Sequence, residues 1–500
     1  MSGSELEVAG DRHPGRLQGA AAPTHRRAIA SSVWHAAFPL VFALGVWLIP
    51  PPAGLPAPAW HYLGIFVAAI AGLITEPVPG PVVGLLAVTV AAALRLVGLT
   101  PADSIQWALS GFSHGTVWLI FVAFMLGLGY EKTGLGRRLA LILVQWLGRR
   151  TLGLGYAVAL ADLALAPFIP SNTARSGGTI FPIIKSIPGL YGSSPEHDPR
   201  RVGAYVMWTA FAATGITSSM FLTANAANLF AVALLEKTAQ MRVSWGGWAT
   251  GFLPVGALLF LALPPLVYLI YPPGLKASDE VPAWAARELA EMGRLTPKEL
   301  TMAAVATLAL GLWVFAGSWL NPTTTALVAL CLMLLTGVLD WSDVLADRDA
   351  WRVLVWFATL VTLADGLNQV GFLHWFATRT STALSGIPVI GIAFLFVTTF
   401  FVAHYLFASL TAHATALLPV FLATAAAIPG MPMRPLALAL CYAVGLMGVL
   451  TPYATGPAPI YFGSGYISRK DFWRLGSIFG AIFLASLLAV GVPYLLALAP

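Results

Sequence analysis

Of 500 residues, 27 are Lys or Arg and 21 are Asp or Glu, so 10% of the chain is charged where roughly a quarter is usual for a soluble protein. Hydrophobic residues make up 58%, more apolar side chain than one globular core could hide. These proportions exclude a soluble enzyme, a disordered scaffold and, despite the net charge of +6, a nucleic-acid-binding protein; they place the chain in a bilayer.

In chain order, residues 1–32 form a polar leader with Arg12, Arg16, Arg26 and Arg27, cytoplasmic by the positive-inside rule. The apolar stretch after it has no small-residue cleavage site, so the first span is expected to stay in the mature protein. Charges are costly at a helix centre and about 20 apolar residues cross the hydrocarbon. The charge-free intervals 28–75, 104–130, 202–235, 243–275, 301–339, 380–433, 435–468 and 475–500, with shorter ones between, therefore predict about eleven or twelve transmembrane helices. Two regions do not read as simple spans. Pro167, Pro170 and Pro182 bracket a Ser, Thr and Gly cluster within 163–184, and prolines punctuate 380–433, with a second hairpin near 400–428. Irregular backbone at membrane depth is tolerated only inside protein or beside a water-filled cavity. The charged stretch 274–298 reads as a linker between an N-terminal unit, 33–273, and a C-terminal unit, 299–500.

The two units share features at an offset of about 237 residues. Gly129 and Gly134 find Gly366 and Gly371, Ser171 and Thr173 find Ser409 and Thr411, Pro182 finds Pro419, and Thr214 finds Thr451. Such a duplication, each copy with a hydroxyl-rich, Pro-bounded break, predicts an all-α polytopic membrane protein built from two inverted repeats. In such folds, broken helices aim their N-termini at an anion. Ser171, Asn172 and Thr173 in one break, and Ser409 and Thr411 in the other, offer neutral donors. Two facing tips of this kind would hold a small molecule with a carboxylate at each end.

The segments SNTARSGGTIFPI (171–183), FASLTAHATALLPV (407–420) and ATGPAPIYFGSGYISRKDFWRLG (454–476) resemble the divalent anion/sodium symporter (DASS) family. They are most similar to its branch of citrate/succinate and tartrate/succinate antiporters and plastid 2-oxoglutarate/malate translocators. The resemblance runs from about residue 35 to the end. It implies a di- or tricarboxylate carrier of elevator type, working as a homodimer among membrane lipids, with substrate held by Ser171, Asn172, Thr173, Ser409 and Thr411. It also implies partner turns near Thr217 and Ser218 and near Ala454 and Thr455, in which Thr217, Ser218 and Thr455 supply further hydroxyls to the substrate. In symporting members such turns help form sodium sites, which here would lie near Asn172 and Thr217.

The second tip departs from the pattern, because Leu410 stands where symmetry with Asn172 would put an amide. Arg175 and His413 each come three residues after those positions. A fixed guanidinium could neutralise a bound dianion and repel sodium, so Arg175, helped by His413, is expected to stand in for a co-transported cation and favour exchange. Sodium-coupled symport of dicarboxylate or sulfate is the alternative. The other reading of Arg175 is a structural cation paired with Asp162, and that of His413 a satisfied hydrogen-bonder. Among the remaining intramembrane charges Asp365 is the leading candidate for a role, while His114 and His404 read as packing or loop residues. No HExxH, GxxxxGK[ST] or CxxC pattern is present, so neither an enzyme nor an ATP-driven pump is expected, and no cofactor other than sodium. The leader lacks the Ser-rich character of a transit peptide, which favours a bacterial inner membrane over a plastid envelope.

Overall fold

The computed structural model describes residues 39–498, apart from Phe42 and Ser385; the leader and its arginines lie outside the described residues. Among these the chain is helical, and one isolated bridge between Arg150 and Ala277 is the only β pairing. A short helix α1 (Pro39–Leu48) leads into α2 (Ala57–Thr75), α3 (Gly80–Ala93) and α4 (Pro101–Leu109). Next come α5 (Gly115–Thr133), α6 (Leu135–Leu147), α7 (Thr151–Leu165), a π-helical turn at Thr173–Ile180, α8 (Phe181–Ser186), α9 (Gly203–Met220), α10 (Ala226–Ala239) and α11 (Trp245–Ile270). Beyond the linker helix α12 (Glu280–Met292) lie α13 (Pro297–Phe315), α14 (Pro322–Leu335), α15 (Trp341–Ala346), α16 (Arg348–Gln369), α17 (Phe372–Ala383) and α18 (Val389–Ala403). The chain ends with α19 (Leu410–Ala426), α20 (Met433–Leu446), α21 (Pro457–Gly463), α22 (Arg469–Ser486) and α23 (Val492–Leu498). Lengths recur between the halves: α2 and α13 have 19 residues each, α3 and α14 have 14, and α7 and α18 have 15.

Among the described residues seven stretches are long and apolar enough to cross a membrane, including Pro101–Thr133, Trp245–Ile270 and Arg469–Leu498, and six more apolar helices have 10–17 residues. Three of the short ones have a physical cause. At 1.5 Å per residue a 15-residue helix is only about 22 Å long, and α7 and α20 end, and α19 begins, at breaks inside the protein. Each break is specified locally. Asn225 caps α10 by accepting from the Ala227 amide at 3.0 Å, Ser409 caps α19, and Thr296 with Glu299 forms a capping box on α13.

The centre of the molecule is α9, buried from Gly203 to Ser219, flanked by α7, α11 and α20. In lipid the close approach of helices depends on small residues. A Cβ added to Gly445 on α20 would lie 2.2 Å from Ser219 Oγ and 3.0 Å from the Ser219 backbone nitrogen. Ser219 Oγ itself donates to Tyr442 O at 3.0 Å, tying the crossing together. The linker is anchored rather than loose. Thr151 N donates to Lys276 O at 3.0 Å and Ser278 N to Arg149 O at 2.8 Å. At its far end the buried Arg138 side chain reaches Glu299 at 2.6 Å and Gly293 O at 2.9 Å.

Because the crossing leaves no room for a methyl group, Gly445→Ala is expected to cost about 1–3 kcal/mol by overpacking. Gly311→Ala, where nothing lies within 4 Å, should change stability by no more than about 0.5 kcal/mol. Thermal unfolding of the detergent-solubilised proteins compares the two.

Candidate functional site

Two helix-breaking hairpins face one cavity. In the first, α7 ends at Leu165, the chain turns through Ala166–Asn172, and the second arm begins with the π-helical turn. In the second, α18 passes into a 3-10 turn at His404–Leu406 before α19 begins. The tips are built alike. Ser171 Oγ accepts from the Ala174 amide at 3.1 Å and Ser171 O from the Arg175 amide at 2.8 Å. Ser409 Oγ accepts from the Ala412 amide at 3.3 Å and Ser409 O from the His413 amide at 3.1 Å. Each tip thus presents the amide end of a helical arm, the end that attracts anions. Arg175 and His413 occupy the same place on the two arms.

The cavity, about 1110 Å³, is lined by Ser171, Thr173 and Ser409 from the tips and by Glu131, Arg352 and Trp356 on the facing side. Its mouth also carries Asp343, whose carboxyl the Lys132 ammonium holds below its usual range. Tip and turn interlock across the halves: Asn172 Nδ2 donates to Thr455 Oγ1 at 2.9 Å. A Cβ on Gly456 would meet Thr173 Oγ1 at 1.9 Å, so only glycine lets this turn lie against the first tip.

Arg175 lies behind the tip rather than in the cavity wall and is fully buried. Its Nε donates to Asp162 Oδ1 at 3.2 Å. Nη1 donates to Ile169 O at 2.8 Å and Ala224 O at 2.6 Å, and Nη2 to Thr217 Oγ1 at 3.4 Å and Ser218 Oγ at 3.0 Å. All five N–H donors of the guanidinium find acceptors. Thr217 also donates to the second oxygen of Asp162. Carbonyl and hydroxyl oxygens are the donor set of a hard cation, and here they surround the guanidinium. That donor set is occupied by the chain itself and does not fit an added sodium ion near Thr217.

The structure therefore brings Ser171, Thr173 and Ser409 to the cavity and Asn172 to Thr455, and it groups Thr217 and Ser218 around Arg175. Thr217 and Ser218 fall on the last turn of α9, and the helix break comes later, at Phe221–Asn225. Its sequence signal is Asn225, a capping residue directly before an apolar run. Thr411 is buried beside Ser409, and Leu410 packs toward Gly448 and turn 450–456. His413 is fully buried against Phe400 and Phe407, with no partner for either ring nitrogen among the described residues. Asp365 accepts from Gln369 at 2.6 Å and lies 4.0 Å from Lys237, at the other end of α16 from the cavity mouth.

Sequence reasoning passed over a second buried network. Thr214 Oγ1 donates to Ser176 Oγ at 2.7 Å, and Ser176 Oγ lies 2.8 Å from Tyr461 OH, joining the first hairpin to α21. The expectation that no GxSxG spacing occurs is wrong, since GFSHG stands at 111–115. That serine lies in a 3-10 turn between two helices, where its hydroxyl donates to Ser110 O at 2.9 Å, not on the strand-to-helix elbow this motif needs for catalysis.

These features define a helical membrane protein whose broken helices converge on one cavity. Residues 30–499 match the family described as the sodium:sulfate symporter transmembrane region. The chain belongs to this divalent anion/sodium symporter family. It is 46% identical over 478 residues to the citrate/succinate antiporter of Escherichia coli K12, covering 93% of this chain and 98% of that protein. It is 44% identical over 472 residues to the L-tartrate/succinate antiporter of Shigella sonnei, covering 92% and 97%. The crystal structure of the Alcanivorax borkumensis YdaH transporter shares the fold at a TM-score of 0.51 and 16% identity, covering 89% of this chain and 99% of that one.

Removing one partner of the buried pair leaves an uncompensated charge. Arg175→Met and Asp162→Asn are each expected to destabilise by about 3–5 kcal/mol, and the double variant to recover part of the loss. A double-mutant cycle in thermal unfolding reads this coupling directly.

Proposed function

We propose that the protein exchanges small di- and tricarboxylates, of the succinate, malate, tartrate, citrate and 2-oxoglutarate type, across a bacterial inner membrane. The observation that carries this reading is the pair of like-built tips: Ser171, Thr173 and Ser409 on one cavity, each tip offering hydroxyls and amide ends to one carboxylate. Antiporters of citrate, tartrate and succinate with over 40% identity support the substrate class. Neutral donors suit a carrier, because they hold an anion without the strong pairing that would slow its release.

In this account the halves are inverted repeats and the hairpins travel as a unit in an elevator motion against α5 and α16, within a homodimer surrounded by lipid. The guanidinium of Arg175 takes the place among carbonyl and hydroxyl oxygens that sodium would occupy, so exchange needs no cation; His413, expected to help it, faces Phe400 and Phe407 with no partner for either ring nitrogen among the described residues and contributes packing rather than charge. Arg149, Arg150, Arg200 and Arg201 gather at the linker, and the positive-inside rule makes that face cytoplasmic.

Proteoliposomes containing the purified protein test this reading. Labelled succinate should enter vesicles preloaded with unlabelled dicarboxylate, with or without sodium, and should not accumulate in empty ones. Sodium-driven uptake into empty vesicles would instead establish the symport reading.

A further inference from the structure

We infer that His404 is a positioning residue of the substrate site, pinning the second turn from behind as Arg175 pins the first. This rests on the reading of the two tips as the carboxylate site. His404 is fully buried, and its Nε2 lies 2.9 Å from Ala454 O. A carbonyl only accepts, so Nε2 carries the hydrogen. Nδ1 has no partner among the described residues, and the neutral ring with its proton on Nε2 satisfies this environment.

The bond matters because its acceptor, Ala454, is joined directly to the turn that meets the first tip. Thr455, the next residue, has a hydroxyl that accepts from Asn172 at 2.9 Å, and Gly456 after it abuts Thr173. His404 therefore fixes the surface on which the first tip rests, although it touches neither that tip nor the cavity. In the first half the same job falls to Arg175, which donates to Ala224 O at 2.6 Å directly before the capping Asn225. In both halves a nitrogen of the hairpin holds the carbonyl of the alanine preceding the polar turn residue. The chemistry differs, guanidinium in one half and imidazole in the other, and the place does not. His413 lies edge-on to His404 with ring centres 5.2 Å apart, so His404 also forms one wall of the cage around the residue placed opposite Arg175.

Two substitutions separate the donor from the ring's bulk. His404→Phe keeps a flat ring and leaves the buried Ala454 carbonyl without a donor; His404→Gln restores an N–H. In succinate counterflow, His404→Phe should raise KM about tenfold with the maximal rate within about twofold, and His404→Gln should bring KM back near the wild-type value. Hydrogen exchange over residues 450–458 reports the turn whatever the substrate proves to be: exchange should quicken in His404→Phe and return to normal in His404→Gln. Unchanged KM and exchange in His404→Phe, or a glutamine variant as impaired as the phenylalanine one, would overturn the inference. A wild-type protein that fails to exchange any dicarboxylate would reject the transport reading, and the exchange of turn 450–458 would still decide the role of His404.

Discussion

A buried guanidinium can stay charged only if every N–H it carries finds an acceptor, and the region behind the first tip is organised to meet that demand. Arg175 draws in the carboxylate of Asp162 from α7, two backbone carbonyls from the chain on either side of α9, and the hydroxyls of Thr217 and Ser218 from α9 itself. The hairpin, the central helix and the first turn are thereby held in one register. Because desolvating an ion is costly unless it is fully paired, none of these partners can move alone. The tip in front of the arginine inherits that rigidity, so on the proposed reading it would meet an anion with little further ordering.

The second half reaches a similar geometry with less charge. His404 and His413 replace a guanidinium network by two imidazoles among phenylalanines, and Leu410 replaces the amide of Asn172. The halves are also joined to each other. Asn172 to Thr455, Ser176 to Tyr461, and Thr173 against Gly456 make the first tip lean on the second turn. A molecule held between the tips would be sensed by both halves at once, which suits a carrier that must not move half-loaded.

Much of this was legible in the sequence. The scarcity of charge placed the chain in a membrane, and proline-bounded Ser and Thr clusters located both breaks. The pairing of Arg175 with Asp162 was foreseen as the structural alternative and is present. Its other partners were harder to read, because Thr217 and Ser218 reach it only through the central course of α9. Hydropathy could not single out α9, since lipid-facing and protein-facing helices are equally apolar; the small residues at the Gly445–Ser219 crossing carry that information. The first turn was expected at Thr217 and Ser218, whereas the chain breaks at Phe221–Asn225, because threonine and serine continue a helix when they can bond backward to its carbonyls, as Thr217 does to Ala213 O at 3.2 Å. His404 gave no local signal at all, as its acceptor is fifty residues away.

In the exchange mechanism proposed above, a fixed guanidinium stands where a sodium ion would otherwise sit. The measurement that bears on it most directly is the sodium dependence of succinate counterflow in Arg175→Ser compared with the unaltered protein. The account predicts that the variant loses sodium-free exchange and regains part of it as sodium is raised, while the unaltered protein ignores sodium throughout. Sodium-free exchange by the variant at the unaltered rate would contradict it.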